Sequence, residues 1–341
     1  MHIDTSAALA REAVRKLVGS GLDPDEFLHE VSARVRRVVP HDSSAWMTLD
    51  PDTLLPSGAL QYDKSPELAR ASWRNEVLDG AVQSLAELAG RASPVAALSQ
   101  LDAGRAANSP LVQQILRPAG LGDEMRVMLR VDGSTWGFGV MCRELGSRDF
   151  DADERTFLAD IATDIGEGLR RGLSRRPDPD ADTLVPGVVA FDVQGQVVSA
   201  TAEAARMTAL MSGDATTMLY AVAVAASHRG SASARVRLTD GRWLLAQGGR
   251  MYGAPHDSAQ VTVALASAPS PDLTSVLLRL HRLSAREREV AKLLMHGRRT
   301  DEIAARLYIS QHTLRDHVKS IFTKVGARSR AELTALVSDH T

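Results

Sequence analysis

Cysteine is nearly absent: the 341 residues contain one, Cys142. No intramolecular disulfide and no cysteine-cluster metal site can form, and a reducing compartment fits. Aromatics make up only 4% of the chain. Trp46, Trp73 and Trp136 are the candidates to line a ligand pocket, although large rings pack into cores wherever they occur. Long hydrophobic runs are missing too. The longest, Met218 to Ala226, falls far short of the roughly 20 residues that span a bilayer. Asp4, Arg11 and Glu12 interrupt the N-terminus before the apolar core of a secretion signal could form. A soluble cytoplasmic protein without membrane contact is expected.

The patterns that announce common chemistries are lacking as well. There is no Gly-x-Ser-x-Gly elbow, no Walker-type Gly-Lys-Ser/Thr, no Gly-x-Gly-x-x-Gly and no His-Glu-x-x-His. The ten histidines are scattered. No enzyme activity, catalytic residue, metal or cofactor is therefore assigned, and Glu287, Glu289 and Glu302 read as solvated charge on helix surfaces.

What is present is an ordinary globular composition, 44% hydrophobic and 24% charged, in a length that calls for two or three domains. Charge is segregated. Leu273 to Thr341 carries +6 and Met1 to Asp272 carries −8. A basic module on an acidic chain suits binding to a polyphosphate backbone, where each neutralised phosphate releases counterions.

That basic module holds the most informative stretch, Leu283 to Leu336, which reads as four short helices. Ser284 and Glu287 form a capping box that opens the first. Its apolar stripe is Val290, Leu293 and Leu294, and Gly297 ends it. The second starts at Thr300 and buries Ile303, Ala304 and Leu307. Ser310 caps the third, in which Leu314, Val318, Ile321, Phe322 and Val325 face inward. Helical spacing then leaves Gln311, His312, Arg315, Asp316, Lys319 and Thr323 on or beside the outer face. Ser329 and Glu332 open the fourth. Two short helices joined by a tight turn, the second with a polar and cationic outer face, is a helix-turn-helix arrangement suited to the DNA major groove.

This stretch resembles the LuxR-type helix-turn-helix of bacterial transcription regulators. The matching residues are L-S-x-R-E-x-E-V (Leu283 to Val290), Gly297, E-I-A-x-x-L (Glu302 to Leu307) and I-S-x-x-T-L (Ile309 to Leu314), then His317-Val318, I-x-x-K (Ile321 to Lys324) and R-S-R-A-E (Arg328 to Glu332). The resemblance implies that Arg315, Asp316 and Lys319 meet base edges. Thr300, Ser310, Gln311, His312, Thr313, Lys324, Arg328 and Arg330 would lie at phosphates or at helix N-termini facing them. Asp316 departs from the small residue often found there; it could accept from cytosine N4 or orient Arg315. The implied partners are double-stranded DNA and a second copy of the chain, with RNA polymerase and a small-molecule effector as further candidates. The competing reading is a signalling or interaction module whose helical tail binds RNA polymerase or another protein.

The acidic part divides in two. Helical spacing marks Ser6 to Gly19 and Asp25 to Val39; strands are expected at Ser44 to Leu49 and Leu54 to Tyr62, and helical segments at Ser65 to Ala89 and Ser109 to Leu116. Asp132-Gly133-Ser134 marks a hairpin between Glu124 to Val131 and Thr135 to Arg143. Asp151 and Glu154 cap a long helix to about Leu173. This order resembles a GAF domain. A second unit has strands at Gly187 to Asp192 and Gln196 to Ala200 around Val193-Gln194-Gly195. Helices near Ala202 to Met211 and Thr217 to His228 follow, and then strands at Ala234 to Leu238, Trp243 to Gln247 and Gln260 to Ala266, an order that resembles a PAS fold. The expected organisation is an N-terminal helix (1–21), a GAF-like α+β sensor (22–172), a linker (173–185), a PAS-like α+β unit (186–267), a second linker (268–275) and an all-α LuxR-type domain (276–341). Flexible linkers would let the acidic sensor lie against the basic recognition face.

Overall fold

The computed structural model describes residues 2–63, 65–78, 81–175, 183–192, 194–251 and 261–338. The chain opens with α1 (His2–Val18) and α2 (Pro24–Val38). Asp23 caps α2 by accepting from the backbone N–H groups of Asp25 and Glu26, with Pro24 in the first turn, where its missing N–H costs nothing. Then come β1 (Ser43–Leu49), β2 (Pro56–Tyr62), α3 (Pro66–Leu78), α4 (Leu85–Gly90) and β3 (Val95–Ala97). After α5 (Ala103–Ala107) and a π-helical turn (Leu111–Leu116), the unit closes with β4 (Leu121–Val131), β5 (Ser134–Glu144) and α6 (Ala152–Leu173). The expected helical segment from Ser65 to Ala89 is thus two helices, and the short edge strand β3 had no strand signal in the sequence.

These strands form one antiparallel sheet in the order β2-β1-β5-β4-β3. The turn between β4 and β5 has φ of 49° at Asp132 and 73° at Gly133, the pair of left-handed residues that a two-residue hairpin needs. One face packs on α1, α2 and α6 through Phe27, Trp46, Trp136, Phe157, Ile165 and Leu169. The opposite face carries Met47, Phe138, Val140 and Cys142 under Trp73, Leu88, Leu111 and Leu116. Gly139 lies opposite Trp46 in the register of β1 and β5, and a Cβ there would stand 2.6 Å from the indole, so only glycine lets the ring approach so closely.

The second unit comprises β6 (Gly187–Phe191), β7 (Val197–Ala200), α7 (Ala202–Ala209), α8 (Ala215–Arg229), β8 (Ser231–Arg237), β9 (Trp243–Arg250) and β10 (Val261–Ser267). Its antiparallel sheet runs β7-β6-β10-β9-β8. Val193, Gln260 and residues 176–182 of the expected linker lie outside the described residues. The fold class is therefore as the sequence indicated: two α+β units and a helical C-terminal domain. The two units are not merely tethered, since one apolar cluster runs from Met47, Trp73 and Phe138 through Leu219, Val222 and Val263.

The expected second linker is mostly helix. α9 (Ser270–Leu280) covers it because Pro269 and Pro271 fall at the N-cap and first turn, where proline is tolerated. Leu273, Val276, Leu277 and Leu280 recur at helical spacing and pack on the first unit's core, while Leu278 enters the core of the C-terminal domain. Ion pairs fix α9 further. Arg279 reaches Asp52 at 2.6 Å and donates to the Ser134 hydroxyl at 2.9 Å; Arg282, just beyond, meets Asp132 at 2.9 Å. Arg170 of α6 donates to the Leu280 carbonyl and is itself held by Glu167.

Two carboxylates at this junction have strongly depressed pKa values. Hydrogen bonding to Arg170, opposed by burial and reinforced by Arg171, holds Glu167 at about 2. Burial would raise Asp52, but Arg235 and Arg279 outweigh it and hold that group at about 2. Both folded values lie below the ordinary ones of 4.5 and 3.8. Their stabilisation is therefore fully present above those values and is lost as pH falls toward 2. Thermal unfolding should be insensitive to these groups above pH 5 and fall steadily between about 4.5 and 2, with Asp52→Asn flattening that fall. An unchanged acid limb in the variant would remove Asp52 from this role.

Candidate nucleic-acid interface

The C-terminal domain consists of α10 (Ala285–Met295), α11 (Thr300–Arg306), α12 (Gln311–Val325) and α13 (Arg330–Ser338). Each boundary has a local cause. Ser284 accepts from the Glu287 N–H while Glu287 accepts from the Ser284 N–H, which closes the expected capping box. Ser310 accepts from the Thr313 N–H at 3.0 Å, and Gly326 ends α12 at φ 76°. Val290, Leu294, Ile303, Leu314, Ile321, Val325 and Leu333 form the core.

The outer face of α12 is as the spacing implied. Gln311, His312, Thr313, Arg315, Asp316, Lys319 and Thr323 are exposed. Asp316 sits 3.2 Å from the His312 ring, so the exposed acid is turned toward its own helix rather than toward Arg315. Arg315 donates weakly to the Gln311 carbonyl at 3.3 Å. Among the described residues neither Arg315 nor Lys319 is in an ion pair. Two cations without ion pairs among the described residues, one helical turn apart on a capped helix, can donate to phosphate oxygens or guanine acceptors at little cost in broken contacts. Nor do the described residues of the acidic first unit cover this face: its carboxylates Asp52 and Asp132 meet Arg279 and Arg282 at the root of the domain instead.

Other expected contacts are less free. The Lys324 ammonium lies 2.7 Å from Glu287, which also accepts from the Ser320 hydroxyl at 2.6 Å. This ion pair ties α10 to α12. Glu287 is consequently buried, not the solvated surface charge expected of it. Burial opposes its ionisation, but bonds from Lys324, Ser320 and Ser284 prevail and hold it at about 2. Arg330 donates to the Arg298 carbonyl at 3.0 Å, and the Arg328 N–H to Glu332 at 2.7 Å. Thr300 is exposed at the start of α11. Leu333 of α13 is 0% exposed inside its own domain, so it offers no surface to a second copy of the chain.

Sequence reasoning passed over Tyr308. It is 95% exposed, with φ of 52°, in the turn just before Ser310. A left-handed aromatic costs roughly 1 kcal/mol or more where glycine would cost nothing, and nothing in the fold covers its ring.

The three tryptophans do not form one pocket. Trp46 and Trp136 are fully buried on the α1–α2–α6 side of the sheet, whereas Trp73 lies across it. Alternation along β1 explains this, since Trp46 points away from Ala45 and Met47. Trp73 lines a cavity of about 50 Å³ with Met47, Phe138, Glu76, Arg126 and Thr217. Arg126 is bound there by Glu124 at 2.7 Å and Glu76 at 2.9 Å, and the buried Cys142 thiol lies 3.7 Å from Glu124. The spacing of Glu124 and Arg126, two apart on one strand, was the available signal.

No helix among the described residues is long and apolar enough to cross a membrane. The family model for bacterial regulatory proteins of the luxR family matches residues 281–337. The spore germination protein GerE of Bacillus subtilis is 42% identical over 50 residues, 15% of this chain and 68% of that relative. An Aeromonas salmonicida protein, named as an HTH-type transcriptional regulator in the exeN 3′ region, is 46% identical over 59 residues. That match covers 17% of this chain and 30% of the relative, so the chain spans less than a third of its length. Among solved structures, Escherichia coli SdiA covers 97% of this chain and 96% of its own at 12% identity, with a TM-score of 0.36.

Proposed function

Because the chain belongs to the luxR family of bacterial regulatory proteins, we propose that it is a sequence-specific transcription regulator whose α12 enters the DNA major groove. The observation that carries this is the pair Arg315 and Lys319, exposed and free of ion pairs among the described residues, on a helix that is capped at both ends. The basic charge of the same segment supports it. Arg315 and Lys319 are assigned to base edges, with Thr313 and Gln311 near the flanking phosphates. Tyr308 joins them, because only a bound partner gives its exposed ring a use. Lys324 is reassigned to holding the helix. Binding to fragmented genomic DNA, followed by footprinting of the retained fragments, tests the reading. Arg315→Ala should lose about 1–3 kcal/mol on the retained site and little on random DNA; equal losses would make it a phosphate contact.

The acting species is a homodimer in this reading. One short helix reads too few bases to select a genomic site, so two modules would bind half-sites about one helical turn apart. Light scattering should give twice the chain mass on DNA, and a monomer both free and bound would end the idea. The two α+β units, read as GAF-like and PAS-like, would act as the sensor through α9, which belongs to the cores of both halves.

A further inference from the structure

Five arginines are buried among the described residues, and four of them hold a carboxylate: Arg70 with Glu67, Arg126 with Glu76 and Glu124, Arg143 with Glu154, and Arg235 with Asp50 and Asp52. Arg237 is the exception. It is 6% exposed, its guanidinium stacks 5.0 Å from the Trp243 ring, and one nitrogen donates to the Arg175 carbonyl. The other terminal nitrogen, Nη1, has no partner among the described residues. A buried charge with no ion pair among the described residues is unfavourable, and burial pulls this guanidinium down to about 10 against the opposing pull of Asp240.

Arg237 lines a cavity of about 110 Å³ between the two α+β units. Asp23 and Asp25 come from the start of α2, Arg175 from just beyond α6, Ser212 from the segment after α7, and Asp240 from the β8–β9 turn. A water-sized centre needs roughly 10–15 Å³, so the space holds roughly seven to eleven such centres, room for a small organic molecule. A simple anion would meet three aspartates there, of which Asp240 already pairs with Arg242 at 2.6 Å. A simple cation would meet two arginines. A molecule carrying one charge of each sign satisfies both walls. We propose that this cavity binds a small zwitterion of the α-amino-acid class, with its carboxylate on Arg237 and its ammonium among Asp23, Asp25 and Asp240.

Planar guanidinium and carboxylate pair through two parallel hydrogen bonds, which fixes orientation as well as sign. Such a ligand touches both units, so it stabilises their mutual arrangement relative to any state in which they part. The site gives the proposed sensor its ligand class, and only its consequence for DNA binding rests on that reading.

The test titrates the full chain by calorimetry with each standard α-amino acid, and with acetate and methylamine as the two halves. At least one amino acid should bind, acetate and methylamine should not, Arg237→Gln should weaken binding at least tenfold, and Asp240→Asn should weaken it measurably. Removing a buried charge that has no ion pair among the described residues should leave the empty protein as stable or more so; an Arg237→Gln chain that cannot fold would mark the arginine as structural and overturn the proposal. No amino acid binding, acetate binding as tightly as the amino acid, or undiminished binding to Arg237→Gln would also overturn it. Amino-acid binding that is lost in Arg237→Gln, yet leaves operator affinity unchanged, would uphold the site and refute only the sensing role.

Discussion

Asp50→Ala should cost about 3–5 kcal/mol, because it strips a buried guanidinium of its main counter-charge. Asp50 is almost fully buried at the end of β1, where it accepts from the backbone N–H of Arg235 at 2.9 Å and from its Nε at 2.8 Å. Arg235 also donates to the Asp272 carbonyl of α9 at 3.0 Å and to Asp52 at 2.7 Å, but Asp52 is already shared with Arg279. One carboxylate thus binds the first unit to the second and, through Arg235, to α9. The loss should appear in urea unfolding as earlier melting, with α9 and the C-terminal domain separating from the two α+β units. Asp50→Asn, which keeps an acceptor and loses the charge, should fall between. A loss under about 1 kcal/mol for the alanine variant would place the pair among weak surface bridges and would deny it this joining role.

The second large effect is expected at Glu287. Alanine there removes the reciprocal cap of α10, the bond from Ser320 and the counter-ion of Lys324 together. A cap contributes about 1 kcal/mol, and hydrogen bonds to a charged group about 1.5–3 kcal/mol. Because Lys324 is itself a third exposed and can regain water, about 2–4 kcal/mol is the expected total. α12 would lose its fixed angle to α10, so DNA affinity should drop although Glu287 touches no DNA. Glu287→Gln should retain much of the stability and of the binding. If Glu287→Ala weakened binding with no change in melting, a direct electrostatic role would replace this one.

The helix boundaries were legible because their causes are local. Ser284 with Glu287, Asp151 with Glu154, and Ser310 each satisfy N–H groups within three residues, so the pattern and the physics share one short window. The outer face of α12 was legible for the same reason, since helical periodicity alone separates Arg315 and Lys319 from Leu314 and Ile321. α9 was hidden by its two prolines, although Leu273, Val276, Leu277 and Leu280 already carried the helical spacing. The Arg235–Asp50 pair had no local signal, for 185 residues separate its members. The tryptophans separate by parity: strand alternation sends Trp46 into the core on one face and its neighbours to the other, and Trp73 reaches the sheet only from a helix above that second face.

The central claim is that α12 reads bases, and selection of the full-length chain against a random DNA pool tests it most directly. The affinity for the enriched site and for scrambled DNA should be compared across a salt series. Recovery of a two-fold-related site, bound at least about 10³-fold more tightly than scrambled sequence at physiological salt, with Lys319→Ala relaxing the preference within each half-site, is the predicted result. Equal affinity for both sequences, falling in parallel with salt, would contradict it and leave only the non-specific attraction of a basic domain for phosphates.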